Sequence, residues 1–384
     1  MNFRTGPLLK FGRMILVPVL MALQACQSST PGDVLAVEPS NTAPPASPGS
    51  IPGGEVIGQG QTRLSIVVAT SSIVSAEYRD IRNGAELALK ELDDGNLSIE
   101  ILPVGGGDSA IDAKALEAFV KGAAAIAYAG SAPSSGVGNS ALQIALLSNG
   151  SLRPTGSLAF LPSSLDGVEA GILHSVSNGA KGVVVLAPSG QANTGLQAML
   201  KRLKGASTVE LIEYSANEAA ASVAARAVGK QASVFAFTGS DQQIVNIASA
   251  IRTKLGPQAS FQIVGNNNWP KSPILAAPGL EGALVAMPDF GNQKLISASY
   301  LKSYGALPST TSLYAYDLVA ILAGITRAKG REGLVDGTIR SKAGFRGVTG
   351  AFRFRDDGSV ERLFEIHQLR GGRLVAAGGS QQGF

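Results

Sequence analysis

The chain has 384 residues, 45% of them hydrophobic, with 32 basic against 28 acidic side chains, two histidines and a single cysteine. That length exceeds what one hydrophobic core normally serves, one cysteine excludes an internal disulfide, and no dense Lys/Arg cluster with interleaved aromatics offers nucleic acid a footing. His174 and His367 stand far apart with no acid or cysteine at metal-ligand spacing, which argues against a histidine-built zinc site.

Lys10 and Arg13 precede a mostly apolar run, Met14 to Ala25. Its layout and length are those of a signal-peptide core, and it falls short of the ~20 residues that a membrane-spanning helix needs. Leu23-Gln24-Ala25-Cys26 then resembles the lipobox of bacterial lipoproteins, with an aliphatic residue three places before the cysteine and a small one directly before it. The likeness implies that residues 1–25 are a lipoprotein signal peptide and Cys26 the acylated first residue. At ~0.8 kcal/mol per buried methylene, several acyl chains hold a protein on a bilayer without a spanning helix. Removing Arg4, Lys10 and Arg13 with the signal leaves 29 basic against 28 acidic residues. An ordinary secreted protein with a free thiol is the competing reading. Gln27, in place of the Asp that commonly retains lipoproteins at the inner membrane, points to the outer membrane.

Residues 27–60 are dominated by Pro, Ser, Thr and Gly and lack apolar periodicity. Such a composition cannot bury enough surface to offset its ordering entropy, so 26–60 is expected to be an anchored, disordered tether, averaging roughly 30–35 Å end to end as a coil.

From Thr62 the texture changes. RLSIVVAT is a continuous β-branched run, and Ile81, Ala85, Ala88, Leu89 and Leu92 follow at helical spacing. LSIEILPV and a helix from Asp108 to Lys121 repeat the order, then AAAIAYAG with a short helix from Ser135, then IALLSNG. A second series begins at AKGVVVLAP, with helices expected at Asn193–Leu203, Asn217–Val228 and Asp241–Leu255 between STVELIEY, ASVFAFTG and SFQIVGNNNW. GALVAMPDF and two helical segments, Gln293–Tyr304 and Ser312–Ala328, come next. Strands apolar on both faces alternating with helices indicate parallel sheet flanked by helices. The last stretch alternates apolar and polar residues and turns at Asp357-Gly358 and Gly371-Gly372, which reads as hairpins. Two α/β series of similar length imply two lobes.

No G-x-S-x-G, P-loop or H-E-x-x-H motif occurs, so the chain carries no sign of an enzyme, a cofactor or a metal. Gly105 to Ala110 lacks the full G-x-G-x-x-G fingerprint and reads as a tight turn into a capped helix. Asp356 and Asp357 read as a solvated hairpin turn rather than a glycosidase pair. What remains is a row of polar loops at strand C-terminal ends, where open parallel sheets bind ligands. From these loops Ser71, Ser131, Ser134, Ser148, Asn149, Asn193, Thr238, Asp241, Asn267 and Trp269 are the candidate ligand-binding residues. Hydroxyls, amides and one indole suit a small polar ligand held without reactive groups. The bland reading, that these are caps and turns, stands beside it.

The order of elements resembles a known family. LSIVVAT, NGAELAL, AAAIAYAGSAPSS, ALLSNG, KGVVVLAPSGQANTG, ASVFAFTGSD, IVGNNNW, the YG…PS…YAYD stretch and GVTGAFRFRDDG together look like the type I periplasmic-binding-protein fold of the branched-chain amino-acid-binding proteins, over residues 62–377. With the lipobox and tether, the nearest likeness is to penicillin-binding protein activators. That likeness implies a membrane-tethered regulator of peptidoglycan synthesis that contacts a periplasmic synthase. The alternative is a receptor handing amino acids or other small polar solutes to the permease of an ABC importer. In the binding-protein family, loops matching Ser131, Ser148-Asn149, Thr238-Gly239 and Asn266 to Trp269 hold the ligand, and an acid near the last meets the ammonium group. This chain has Asn266, Asn267 and Asn268 there, which disfavours a free amino acid. The family fold further implies lobe one at about 61–180 and 290–344 and lobe two at about 181–289 and 345–384, joined by three crossings that form a hinge.

Overall fold

The β-branched runs form two sheets, each with helices on both faces. In the first, β2 (Thr62–Val68), β4 (Ala123–Ala129), β5 (Leu142–Asn149) and β6 (Leu158–Leu161) run parallel with β3 (Leu97–Pro103), in the order β1-β3-β2-β4-β5-β6. β2 is buried at Leu64, Ile66 and Val68 on one face and at Ser65 and Val67 on the other, which is why its sequence shows no alternation. The computed structural model describes residues 54–70, 75–92, 96–130, 137, 141–149, 157–191 and 194–378, all within the unit Val34–Phe384. The unit Met1–Asp33, with Cys26, lies outside the described residues.

The ordered body starts earlier than expected. β1 (Glu55–Ile57), inside the segment read as tether, pairs antiparallel with β3, Glu55 opposite Ile101. Arg82 Nε donates to both Glu55 carboxylate oxygens at 3.0 Å, fixing this strand to α1 (Ala76–Leu92). Three residues flanked by glycine carry no local strand signal; the free edge of β3 makes them one.

α1 packs along α8 (Thr310–Lys329), and Gly84 explains how closely: a Cβ there would stand 2.2 Å from the Ser312 carbonyl oxygen. α2 (Asp108–Val120) covers the other face of the sheet with Ile111, Ala115 and Ala118.

The second sheet has the order β16-β15-β11-β10-β9-β7-β8. Its parallel part is β7 (Val183–Pro188), β8 (Val209–Tyr214), β9 (Val234–Phe237), β10 (Gln262–Gly265) and β11 (Leu284–Pro288). β15 (Phe364–Arg370) and β16 (Arg373–Ala376) add antiparallel on the β11 side. α3 (Ser164–Ser177), α4 (Thr194–Leu203), α5 (Ala220–Val228) and α6 (Gln242–Leu255) flank it. A third sheet, β12 (Phe345–Gly347), β13 (Gly350–Phe354) and β14 (Val360–Arg362), is a short antiparallel meander. α7 (Lys294–Tyr304) and α9 (Asp336–Ile339) complete the elements. Among the described residues no helix is long and apolar enough to cross a membrane.

The described chain passes between the lobes three times, and two crossings fall elsewhere than expected. The first lies between β6 and α3, near residue 162 rather than 180, because Val168 and Ile172 of α3 join the core of the second sheet with Val183, Val185 and Val264. The second lies between β11 and α7, around Phe290. The third lies between β14 and β15, near 363 rather than 344: Phe352, Phe354 and Val360 are buried with Phe160, Tyr314 and Leu318 of the first lobe. Alternation marks 350–362 as a hairpin but does not say which core receives it.

Candidate functional site

The two lobes enclose a cavity of about 730 Å³ at the C-terminal ends of the second sheet's strands, a size that suits a small ligand. Thr238, Gly239 and Ser240 after β9, Asn266 and Asn268 after β10, Gln191 after β7 and Thr194 at the start of α4 line one side. Ala159 and Leu161 of β6 with Asp357, Ser359 and Val360 of the hairpin line the other.

Asn266 organises the first wall. Its Nδ2 donates to the Thr238 and Gly239 carbonyls at 2.7 and 2.8 Å, and its Oδ1 accepts from Asn268 N at 2.9 Å and Ser240 Oγ at 3.1 Å. Trp269 Nε1 donates to the Gly239 carbonyl at 3.0 Å, and Ser272 Oγ to that of Ser240 at 3.0 Å. Thr238 Oγ1 reaches Gln191 Oε1 at 3.3 Å. Two loops separated by about 28 residues are thereby stitched into one rigid surface.

The charged groups on the walls are engaged already. Asp166 closes a capping box at the head of α3, accepting from Ser163 N at 2.6 Å and Ser163 Oγ at 2.9 Å, and lies 3.3 Å from Arg355 Nη1. Burial pushes its carboxyl above the ordinary range, against the opposing pull of Arg355 and Ser163. Arg202 forks onto Glu169 at 2.8 and 2.6 Å, and that hydrogen bond holds its guanidinium more firmly protonated. Asp357 Oδ1 accepts from Ser359 N at 2.8 Å and Ser359 Oγ at 2.6 Å. Among the described residues no three His, Cys, Asp or Glu side chains gather as metal ligands would.

Of the ten residues expected to line the cleft, Thr238 is on the wall. Trp269 is not: it is 0% exposed, seated on Gly265, where a Cβ would come within 2.4 Å of the indole, and tilted against Phe237 at 6.5 Å. It is a core residue whose N–H braces the cleft loop from behind. Asp241 points away as the N-cap of α6, accepting from Gln243 N and Ile244 N at 2.9 and 3.3 Å. Asn267 packs beside Gly167 of α3 instead of on the wall. Ser71, Ser131, Ser134 and Asn193 lie outside the described residues, as do the side chains of Ser148 and Asn149, which close β5. Asp166 and Arg202 also line the cleft, and nothing in the sequence marks them for it, because capping-box and helix-face signals are local. Asp357 is both the turn residue its sequence predicts and a wall residue. Acids line the cleft from other elements, Asp166 from α3 and Asp357 from the hairpin.

No family model and no curated protein matches the chain. Solved structures do match. A protein described as a branched-chain amino acid ABC transporter from Rhodospirillum rubrum is 17% identical, with a TM-score of 0.62 over 82% of this chain and 99% of that one. The leucine-binding protein LivK of Thermotoga maritima is 15% identical, with a TM-score of 0.53 over 84% and 99%. A solute-binding protein of an ABC transporter from Rhodopseudomonas palustris, in complex with p-hydroxybenzoic acid, is 11% identical, with a TM-score of 0.53 over 84% and 97%. The chain has the type I periplasmic-binding-protein fold. Within that fold the cavity occupies the interlobe cleft at strand C-terminal ends, where open α/β sheets bind their ligands.

Proposed function

We propose that this chain is a non-enzymatic solute receptor, exported to the periplasm and tethered there through acylated Cys26, which binds a small polar solute in its cleft and presents it to an ABC importer permease. The observation that carries this reading is the cleft itself: about 730 Å³ walled by Thr238, Ser240, Asn268, Gln191 and Ser359, with Asp166 and Arg202 paired to Arg355 and Glu169. Such a wall matches hydroxyl, amide and carbonyl groups. Asp357 can meet a cationic end, so a free amino acid returns as a candidate ligand that the asparagines alone disfavoured. The solved structures of this fold accommodate ligands as different as leucine and a hydroxybenzoate by their names, and leave the class of solute open to test.

A regulator of peptidoglycan synthesis, contacting a periplasmic synthase as penicillin-binding protein activators do, is the second reading. It rests on the lipobox, the long tether and the lack of an acid at Asn266–Asn268. A thermal-shift panel on the full chain, with amino acids, aromatic acids, sugars and muropeptides, decides between them when run beside capture of periplasmic synthases. A ligand at ~100 times its dissociation constant adds ~2.7 kcal/mol and raises the midpoint by several degrees. A shift with a free solute and no synthase capture supports the receptor; synthase capture with no shift anywhere in the panel overturns it.

A further inference from the structure

One buried arginine of the first lobe stands beside the first and third crossings, with a single ring between it and the second. Arg362 is the last residue of β14, directly before the third crossing, and is 3% exposed. Its Nη2 donates to the carbonyl of Phe160 at 2.9 Å, two residues before β6 gives way to the first crossing. Its Nη1 donates to the Thr349 carbonyl at 3.2 Å and hydroxyl at 3.0 Å. The guanidinium carbon lies 4.4, 4.8 and 5.3 Å from the ring centres of Phe352, Tyr314 and Phe160. Tyr314 in turn meets Phe290, in the second crossing, edge-on at 6.2 Å.

No carboxylate among the described residues touches this cation directly. The countercharge reaches it through Thr349, whose hydroxyl donates to Asp317, while Asp317 also accepts from Val348 N and Thr349 N at 2.7 and 2.9 Å. Gly347 is required beside it, since a Cβ there would strike that carboxylate at 2.3 Å. A lone buried cation is costly, and one caged by three rings and an acid relay persists only in a narrow geometry. The same short strand carries Val360, which lines the cleft beside Ser359.

We infer that Arg362 is a positioning residue for lobe closure, a pin whose planar fork fixes the points where the first and third crossings leave the first lobe, and whose cage ring Tyr314 bears on the second, so that it sets the pivot about which the lobes turn. The inference rests on reading the lobes as bodies that turn about these crossings; whether a given solute binds is a separate question. The arginine fork matters because its two Nη atoms meet Phe160 and Thr349 from separate positions in one rigid plane, whereas the donors of an ammonium all leave a single nitrogen.

The test is electron–electron distance spectroscopy on the full chain carrying Cys26→Ser. One label pair spans the lobes, Ala113→Cys with Gln258→Cys, and a control pair lies within the first, Ala113→Cys with Lys302→Cys. Arg362→Gln is expected to raise a second spanning distance about tenfold in population, as loss of a charged hydrogen bond does, while the control pair stays as in the parent. Arg362→Lys shares the broadening. A folded Arg362→Gln or Arg362→Lys chain with the parent's spanning distribution overturns the inference. Should both variants lose the control distance by unfolding, Phe290→Leu, which frees the second crossing from Tyr314, replaces them: broadening of the spanning pair supports the pin, and an unchanged pair overturns it. Failure of every solute to shift the parent's spanning distance would count against the receptor reading and leave these variant comparisons intact.

Discussion

On the second lobe's side of the cleft, Asn266, Trp269 and Ser272 hold the Thr238–Ser240 loop by its carbonyls, all from within one lobe. On the opposite side the hairpin wall depends on Arg355, which donates to the Val360 carbonyl at 3.1 Å and Ser359 Oγ at 3.4 Å and also reaches across to Asp166 of α3. One wall is fixed by its own core. The other takes its position partly from the angle between the lobes. The receptor proposed above would use both, since a preformed half lowers the ordering cost of binding and a movable half would convert ligand contact into closure.

The largest effect that tests this contrast is expected from Trp269→Ala. Emptying a fully buried indole site costs about 3–5 kcal/mol and removes the brace on Gly239, so urea denaturation should show a large loss of stability. A variant as stable as the parent would move the indole out of the core and onto the cleft. Asn266→Ala takes a donor from the Thr238 and Gly239 carbonyls, the latter keeping Trp269, and the acceptor from the Asn268 N–H and the Ser240 hydroxyl. About 2–3 kcal/mol is expected at equilibrium unfolding, with faster hydrogen exchange confined to the 238–240 and 266–268 loops; exchange rising equally in the hairpin would show that the walls are not independent. Asp241→Ala removes an N-cap, costing about 1 kcal/mol, and leaves any solute affinity found for the parent unchanged. Weakened binding by calorimetry would return Asp241 to the site.

The smallest expected effect is a slope. Burial raises the folded pKa of Asp166 above the ordinary carboxyl value of 3.8. Between those two values the unfolded chain has released a proton that the fold retains, so stability falls as pH rises through that window and is recovered below it. Denaturation midpoints from about pH 4 to about pH 7 should show a flatter profile for Asp166→Asn than for the parent; parallel profiles would mean that Arg355 keeps the carboxylate ionised throughout.

Much of the fold is legible because strands and helices write different periods. RLSIVVAT and AKGVVVLAP are read correctly since a strand buried on both faces needs only an apolar run between turns. β6 and α3 went unread. LAFL is four residues long, and α3 contains Gly167 and Gly171, which lower helix propensity in isolation. In the fold those glycines are what bring the helix onto the sheet: a Cβ at Gly171 would meet Val264 at 2.6 Å, and one at Gly167 would meet the Ala286 carbonyl at 3.0 Å. At the site, Asn266 and Trp269 look alike from sequence, a polar loop and an aromatic after a strand. The space above Gly265 decides that the indole turns inward.

By itself the sequence determined the alternation of elements, the polar strand ends and the scarcity of reactive groups, because local propensity and periodicity operate within about a dozen residues. Tertiary structure alone decided which lobe receives the hairpin, which polar side chains hold one another instead of facing the cleft, and that a cation at Arg362 sits against the Phe160 carbonyl 202 residues earlier. Contacts between segments so distant are selected by the complementarity of whole packed surfaces, and no short window of residues contains that information.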